Sequence, residues 1–302
     1  MLVIIYERNR IIGNGHYMRC LALKEFCESN YKEPVLFENA DETNLDQQNI
    51  TGNVIIIDTS SVEKANRFIH KFSEHNLIVT MDYFSDVCNP HINFNVYEHW
   101  PLKRNHISYT GIEYAIIRKE IIEFKENWRS KPSGKNIFIM IGGNGDTGLT
   151  KNIIEICQRN LPAYSLNLIR GPLNEPMEME ASQLCIFNSP ANLPELMASC
   201  TFAITTPGIA TLELLYLNKA SLLVPLHNLH EHFANHFIRN NLAIDIFNKD
   251  VFVRCPLPTI QNRMSLCMDK VDGLGASRII HLIVLHYEEK MGSRNSMWER
   301  IH

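Results

Sequence analysis

The stretch Gly13-Asn14-Gly15-His16 concentrates the groups in this sequence most able to do chemistry. Two closely spaced glycines let backbone amides approach a ligand, and a helix starting there turns its electropositive end toward an anion. His16 stands at that corner, where an imidazole titrates near neutral pH and can act as an acid or a base. The plainer alternative is a simple turn at Gly13 and Gly15, with His16 an ordinary N-terminal helix residue. Two carboxylates follow. Asp58 and Asp82 each close an apolar run, and ligands of open parallel sheets gather beyond the carboxyl ends of strands. Either aspartate could equally cap the loop or helix that comes next. A second glycine turn, Gly142-Gly143-Asn144-Gly145-Asp146, repeats the order of strand, turn and helix, with Asp146 able to brace the turn through an Asx-type hydrogen bond.

The elements that must hold these groups are legible as alternating patterns. Leu2-Val3-Ile4-Ile5-Tyr6 reads as a buried strand and Cys20 to Phe26 as a helix. Pro34 to Phe37, Val54 to Asp58 and Leu77 to Asp82 read as further strands, with a helix over about Val62 to His75. Uninterrupted β-branched runs suit strands covered on both faces, hence a parallel sheet with crossover helices. The charged run from Lys125 to Gly134 lacks an apolar face and ends in turn residues. Beyond it the alternation restarts, with strands at Asn136 to Ile141, Ser165 to Ile169, Leu184 to Phe187, Phe202 to Thr205 and Ser221 to Val224. Helices are expected at about Leu149 to Arg159, Leu193 to Ser199, Ile209 to Leu217, Glu231 to Asn240 and Ser277 to Lys290. The expected organisation is a Rossmann-like domain over 1–124, a linker over 125–135, a second Rossmann-like domain over 136–290 and a tail over 291–302.

Composition narrows the function. The chain has 302 residues, 45% hydrophobic and 21% charged, enough for two ordinary domains. A net charge of -4 and a pI near 6.4 provide no basic field, so neither nucleic acid nor an anionic membrane is the expected partner. Eight cysteines without a Cys-x-x-Cys pair point to a reducing compartment and no zinc. No apolar run reaches the length of a membrane span, and Arg8 and Arg10 follow the first apolar residues, the reverse of a signal peptide. A cytoplasmic enzyme of small-molecule chemistry is the expectation.

Taken together, the residues resemble a family. Gly13-Asn14-Gly15-His16-Tyr17-Met18-Arg19-Cys20-Leu21-Ala22-Leu23, Tyr114-Ala115-Ile116-Ile117-Arg118-Lys119-Glu120, Gly142-Gly143 with Asp146 and Thr150, Asn192 to Met197, Gly208 with Glu213, and Asp272 to Arg278 carry the resemblance in order and spacing. With these the chain resembles the pseudaminic acid pathway hydrolases that remove UDP from a diacetamido-trideoxy-altrose nucleotide, and the related spore-coat polysaccharide proteins. Those in turn are similar to GT-B glycosyltransferases such as the one that forms lipid II. The resemblance implies an α/β, GT-B-like fold of two Rossmann-like domains whose parallel sheets face across a cleft. It implies that His16 activates water, that Gly13, Asn14 and Gly15 lie against sugar and phosphate, and that Arg19 and Asp58 belong to the substrate site. Gly142, Gly143 and Asn144 would meet the diphosphate, and Glu213, following Gly208, would take the ribose hydroxyls.

Chemistry supports these roles separately. A glycosyl diphosphate loses an anion from its anomeric carbon, so it needs amide donors for the departing UDP and a base to aim water. No Asp-x-Asp pair is present, which argues for amides and a helix end over a metal clamp, and no cofactor is expected.

The chain also departs from the family. Asp58-Thr59-Ser60 stands where an Asp-x-Tyr is usual, Ile209 and Ala210 replace hydroxyl residues, and Leu226-His227-Asn228-Leu229-His230-Glu231-His232 replaces a loop with an Asn-Gln pair. Three histidines in six residues bring a metal site to mind, but no spaced partner ligand is evident on a second element, so the expectation is no metal and a polar loop opening a helix near the nucleotide, with Asn228 and Glu231 as candidate contacts. The expected activity is hydrolysis of a UDP-linked amino sugar in surface-polysaccharide or nonulosonic-acid synthesis. A glycosyltransferase with a UDP-sugar donor and a non-catalytic nucleotide-sugar-binding protein are the alternatives.

Overall fold

The structure, a computed structural model, describes residues 1–10, 12–45, 50–97, 106–128, 134–142, 147–174 and 177–291. Gly143, Asn144 and Asp146, the middle of the expected linker and all of the expected tail beyond 291 lie outside the described residues. The chain divides into two compact units. One takes in Met1–Ile12, His16–Lys119 and Gly273–His302, and the other Gly13–Gly15 and Glu120–Asp272.

The first unit is built from β1 (Leu2–Tyr6), α1 (Gly15–Asn30), β2 (Val35–Asn39), β3 (Val54–Asp58), α2 (Val62–Phe72), β4 (Leu77–Met81), β5 (Ile92–Asn95) and β6 (Ile107–Thr110). Its six strands are all parallel, in the order β2-β1-β3-β4-β5-β6. Alternation along each strand sorts side chains to two cores. Leu2, Ile4, Val54, Ile56, Leu77 and Val79 meet Cys20, Leu23 and Cys27 of α1 on one face. Val3, Ile5, Ile55, Ile57 and Ile78 meet Ala65, Phe68, Ile69 and Phe72 of α2 on the other. The start of α2 is fixed by Ser61, whose hydroxyl accepts the Lys64 amide.

The second unit contains α3 (Lys119–Asn127), β7 (Asn136–Met140), α4 (Thr147–Asn160), β8 (Ser165–Arg170), β9 (Leu184–Asn188), α5 (Leu193–Ser199), β10 (Phe202–Thr205), α6 (Ile209–Tyr216), β11 (Ser221–Leu223), α7 (Asn228–Arg239), β12 (Asp245–Ile246), α8 (Val251–Arg254) and α9 (Leu257–Leu266). Its strands are again all parallel, ordered β12-β11-β10-β7-β8-β9.

One element sits apart from its expected place. The last helix, α10 (Gly275–Met291), packs in the first unit and not in a second domain extending to residue 290. The reason is its apolar stripe. Ala276, Ile279, Ile280, Ile283 and Tyr287 recur at helical spacing and join the core of β1, β3 and β4. The contact is tight at its start, where a side chain on Gly275 would stand 2.1 Å from the Ala115 carbonyl oxygen. Further along, the Tyr287 hydroxyl donates to the Gly52 carbonyl at 2.9 Å and Lys290 Nζ to the Asn76 carbonyl at 3.0 Å.

Candidate functional site

In the first unit the crossover from β1 leads to β2 on one side while β3 lies on the other. Strand order reverses there, which opens a gap beyond the carboxyl ends of β1 and β3. The residues that close these strands and begin α1 meet at that point. Gly13 adopts φ +85, a left-handed conformation that favours glycine, and lets the chain swing from β1 into α1. His16 follows in the first turn of α1, with its side chain 22% exposed.

Its ring is held by a buried carboxylate. His16 Nδ1 lies 2.6 Å from Asp58 Oδ1, and Asp58 is wholly inaccessible at the end of β3. Arg19, 6% exposed and one helical turn beyond His16, donates Nε to Asp58 Oδ2 at 2.8 Å and Nη2 to Asp58 Oδ1 at 2.6 Å. Its remaining nitrogen, Nη1, pairs with Asp82 Oδ2. The Cys20 thiol donates to Asp58 Oδ2 at 3.4 Å. Burial alone would push the Asp58 carboxyl up, but the Arg19 guanidinium and the His16 ring hold it well below the usual carboxylate range. An ionised carboxylate can only accept, so His16 Nδ1 carries the proton, and in the neutral ring Nε2 has the lone pair. This tautomer is the one a general base requires.

Asp58 and Arg19, expected in the substrate site, lie directly behind the His16 ring. Both are buried and their polar atoms are committed to each other, to His16 and to Asp82. Together they hold the Nδ1 edge of the ring. Nothing in the sequence ties Asp58 to His16. The usable signal is the spacing of three between His16 and Arg19, which places both on one helix face.

Other groups at this corner divide between scaffold and surface. Asn14 Oδ1 is buried without a hydrogen-bond partner among the described residues, an acceptor beside the catalytic candidate. Gly15 is exposed. Ser60 donates both its amide and its hydroxyl to Glu7 Oε2 at 2.9 Å. Glu7 is buried and also pairs with Lys64, which pairs in turn with Asp41. Aromatic surface comes from Tyr17, packed on Tyr6 at 5.2 Å and lying under the Arg8 guanidinium at 4.6 Å.

The second unit has its own reversal, between β7 and β10. Gly142 follows β7 and its amide donates to the Thr206 hydroxyl at 3.3 Å, joining the turns after the two strands. A side chain on Gly142 would come within 2.9 Å of that hydroxyl oxygen, so any larger residue would have to displace the Thr206 hydroxyl. Thr211 donates to the Thr206 carbonyl at 3.0 Å and fixes the start of α6. Gly208 precedes α6 with φ 167, extended backbone with open space beside it. Glu213 is 1% exposed within α6, and Asn228 is exposed in the first turn of α7.

The histidines of that loop have structural uses. His227 Nδ1 accepts the His230 amide at 3.4 Å as the cap of α7, and the two rings lie 3.9 Å apart. Burial, then His227, pulls His230 down to about 4, so it is neutral at physiological pH. Among the described residues no group of three or more His, Cys, Asp or Glu is placed to hold a metal.

Comparisons with known proteins address the fold. No family model matches the chain. An uncharacterized protein of Methanocaldococcus jannaschii is 23% identical over 266 residues, 72% of this chain, and the chain spans about half, 54%, of that relative's length. Among solved structures, the glycotransferase of kitacinnamycin aligns with a TM-score of 0.61 at 11% identity, covering 93% of this chain and 97% of that one. MnaA of S. aureus with UDP aligns with a TM-score of 0.61 at 10% identity, covering 94% and 96%. UDP-GlcNAc 2-epimerase of Neisseria meningitidis, bound to UDP-GlcNAc, aligns with a TM-score of 0.55 at 10% identity, covering 94% and 100%. Among the described residues no helix is long and apolar enough to cross a membrane. With two six-stranded parallel sheets flanked by helices, the chain has the α/β architecture of GT-B glycosyltransferases.

Proposed function

We propose that the protein is a metal-independent enzyme acting on a nucleotide-activated sugar, hydrolysing a UDP-linked amino sugar at its anomeric carbon. The observation that carries this reading is the His16–Asp58 pair. A half-buried imidazole with Nδ1 bound to an ionised carboxylate presents a basic Nε2, the group needed to take a proton from attacking water. As water adds to the anomeric carbon, the bond to the diphosphate oxygen breaks and UDP departs with the bonding pair. The proton from water passes to His16. Asp58, unable to leave its buried position, offsets the positive charge that then forms on the ring.

Residues of the turn after β7 and of α6 and α7 grip the leaving group. The turn of Gly142, Gly143 and Asn144 is assigned to the diphosphate, Gly208 and the start of α6 add a helix end, and Glu213 and Asn228 serve the nucleoside. Gly13, Asn14 and Gly15 meet the sugar, with the Asn14 oxygen, which has no hydrogen-bond partner among the described residues, accepting a hydroxyl proton. Two proteins of similar fold, MnaA of S. aureus and the Neisseria meningitidis epimerase, are bound to UDP and UDP-GlcNAc, which supports this choice of nucleotide.

A screen tests the reading. Thermal shift with UDP, GDP and CMP sugars, followed by an assay for free nucleotide, is expected to show stabilisation and nucleotide release with a UDP sugar alone. Release that begins only on adding a sugar or lipid hydroxyl would make the protein a transferase. Stabilisation without release would make it a binding protein.

A further inference from the structure

We infer that Asp82 is a positioning residue for His16, acting through Arg19 and Asp58; the inference rests on the reading of His16 as the base. Four side chains from α1 and the ends of β3 and β4 form one chain. Asp82 takes Arg19 Nη1, Arg19 lays Nε and Nη2 side-on to Asp58, and Asp58 takes His16 Nδ1. Asp82 is itself fixed at three points. Its amide donates to the Phe94 carbonyl at 2.8 Å, its Oδ1 accepts the Val96 amide at 3.2 Å, and its backbone is left-handed at φ 49.

The backbone does not explain the carboxylate. Asparagine adopts that conformation as readily and would still offer an oxygen to Val96 or Arg19. What asparagine lacks is the charge. A lone pairing of Arg19 with Asp58 would be neutral and a poor partner for a ring becoming cationic. With Asp82 included, the trio carries one net negative charge, available to the imidazolium. The other titratable neighbours do not supply it. Burial raises the Tyr97 hydroxyl far above neutrality and raises the Cys20 thiol well above its usual range, so both stay uncharged.

The second consequence is geometric. Arg19 is anchored at both ends, which fixes the plane of Asp58 and so the direction of His16 Nε2. Removal of the Asp82 charge frees one end of the guanidinium.

The test pairs kinetics with a spectroscopic readout that needs no substrate. Asp82→Asn is expected to lower kcat roughly 10- to 100-fold, with KM changed by no more than about twofold. In a His16→Ala background the same substitution changes the residual rate no further. In the unliganded protein, nitrogen-15 NMR of the His16 ring is expected to show a proton on Nδ1 in the wild type and an exchanging mixture of tautomers in Asp82→Asn. Wild-type kcat together with an unmoved His16 signal overturns the inference. Should the wild type release no nucleotide from any sugar, the proposed function fails, and the ring signals alone decide: a shift upholds the positioning role and identity refutes it. Arg19→Lys keeps the charge but cannot fork between Asp58 and Asp82; it is read in the same way should Asp82→Asn not fold.

Discussion

Replacing Asp58 by asparagine strikes both the fold of the first unit and the chemistry assigned to it. Asp58 Oδ1 accepts from His16 Nδ1 and Arg19 Nη2, and Oδ2 accepts from Arg19 Nε and Cys20. An asparagine has one acceptor and one donor in that space. With its oxygen toward His16, its amide group faces Arg19 Nε, donor against donor. With the oxygen toward Nε, the amide group faces His16 Nδ1, forces the proton to Nε2 and removes the lone pair a base needs. Either way a buried guanidinium loses part of its partner, and breaking a buried ion pair from one side costs about 3–5 kcal/mol. The loss is moderated by Asp82, which still holds Nη1. The expected kinetic effect is a fall in kcat of about 10³- to 10⁴-fold, the scale seen when a base is left in the wrong tautomer. Urea unfolding and release of free UDP read the two effects separately. A variant with wild-type turnover, or with stability unchanged, would refute the reasoning.

Four further predictions follow from named contacts. The Asp58 carboxyl is depressed in the folded chain, so its stabilisation is fully present above its ordinary value of 3.8 and is lost as pH falls below that; urea midpoints of wild type and Asp58→Asn should converge in acid. His91 is pulled from 6.5 to about 4 by burial and then by Lys290, so stability declines as pH falls between those values; His91→Asn, which keeps an acceptor for the Ile78 amide, should flatten that decline. Gly275→Ala forces a methyl group against the Ala115 carbonyl, backbone that cannot turn aside, and should cost about 1–3 kcal/mol by urea unfolding. Gly142→Ala collides with the Thr206 hydroxyl and should weaken UDP binding about tenfold or more by calorimetry, while Tm falls only slightly; unchanged affinity would remove this turn from the nucleotide grip.

What could be read without coordinates follows a physical division. β3 is legible because Val54, Ile55, Ile56 and Ile57 are buried on both faces, so its pattern needs no partner to be recognised. β5 is not, since Ile92-Asn93-Phe94-Asn95 buries two asparagines. Asn93 is made tolerable by the Thr80 hydroxyl and the Tyr83 amide, contacts from another strand that no local pattern reveals. β6 is an edge strand with exposed Ile107 and Ser108 and no apolar run. The stripe of α10 was visible as a helix, but a stripe does not name the sheet it will cover. At the site, His16 announced itself through its glycine turn. Asp58 looked the same whether it would cap a helix, touch a sugar or orient a ring, and only the pairing of β1 with β3 decides among these.

The central claim is that His16 does the chemistry while other residues hold the nucleotide, and one comparison addresses it directly. UDP release and UDP affinity are measured side by side for wild type and His16→Ala. The account predicts that release is abolished while affinity stays within a few fold, roughly 1 kcal/mol. Undiminished release from the variant would contradict it.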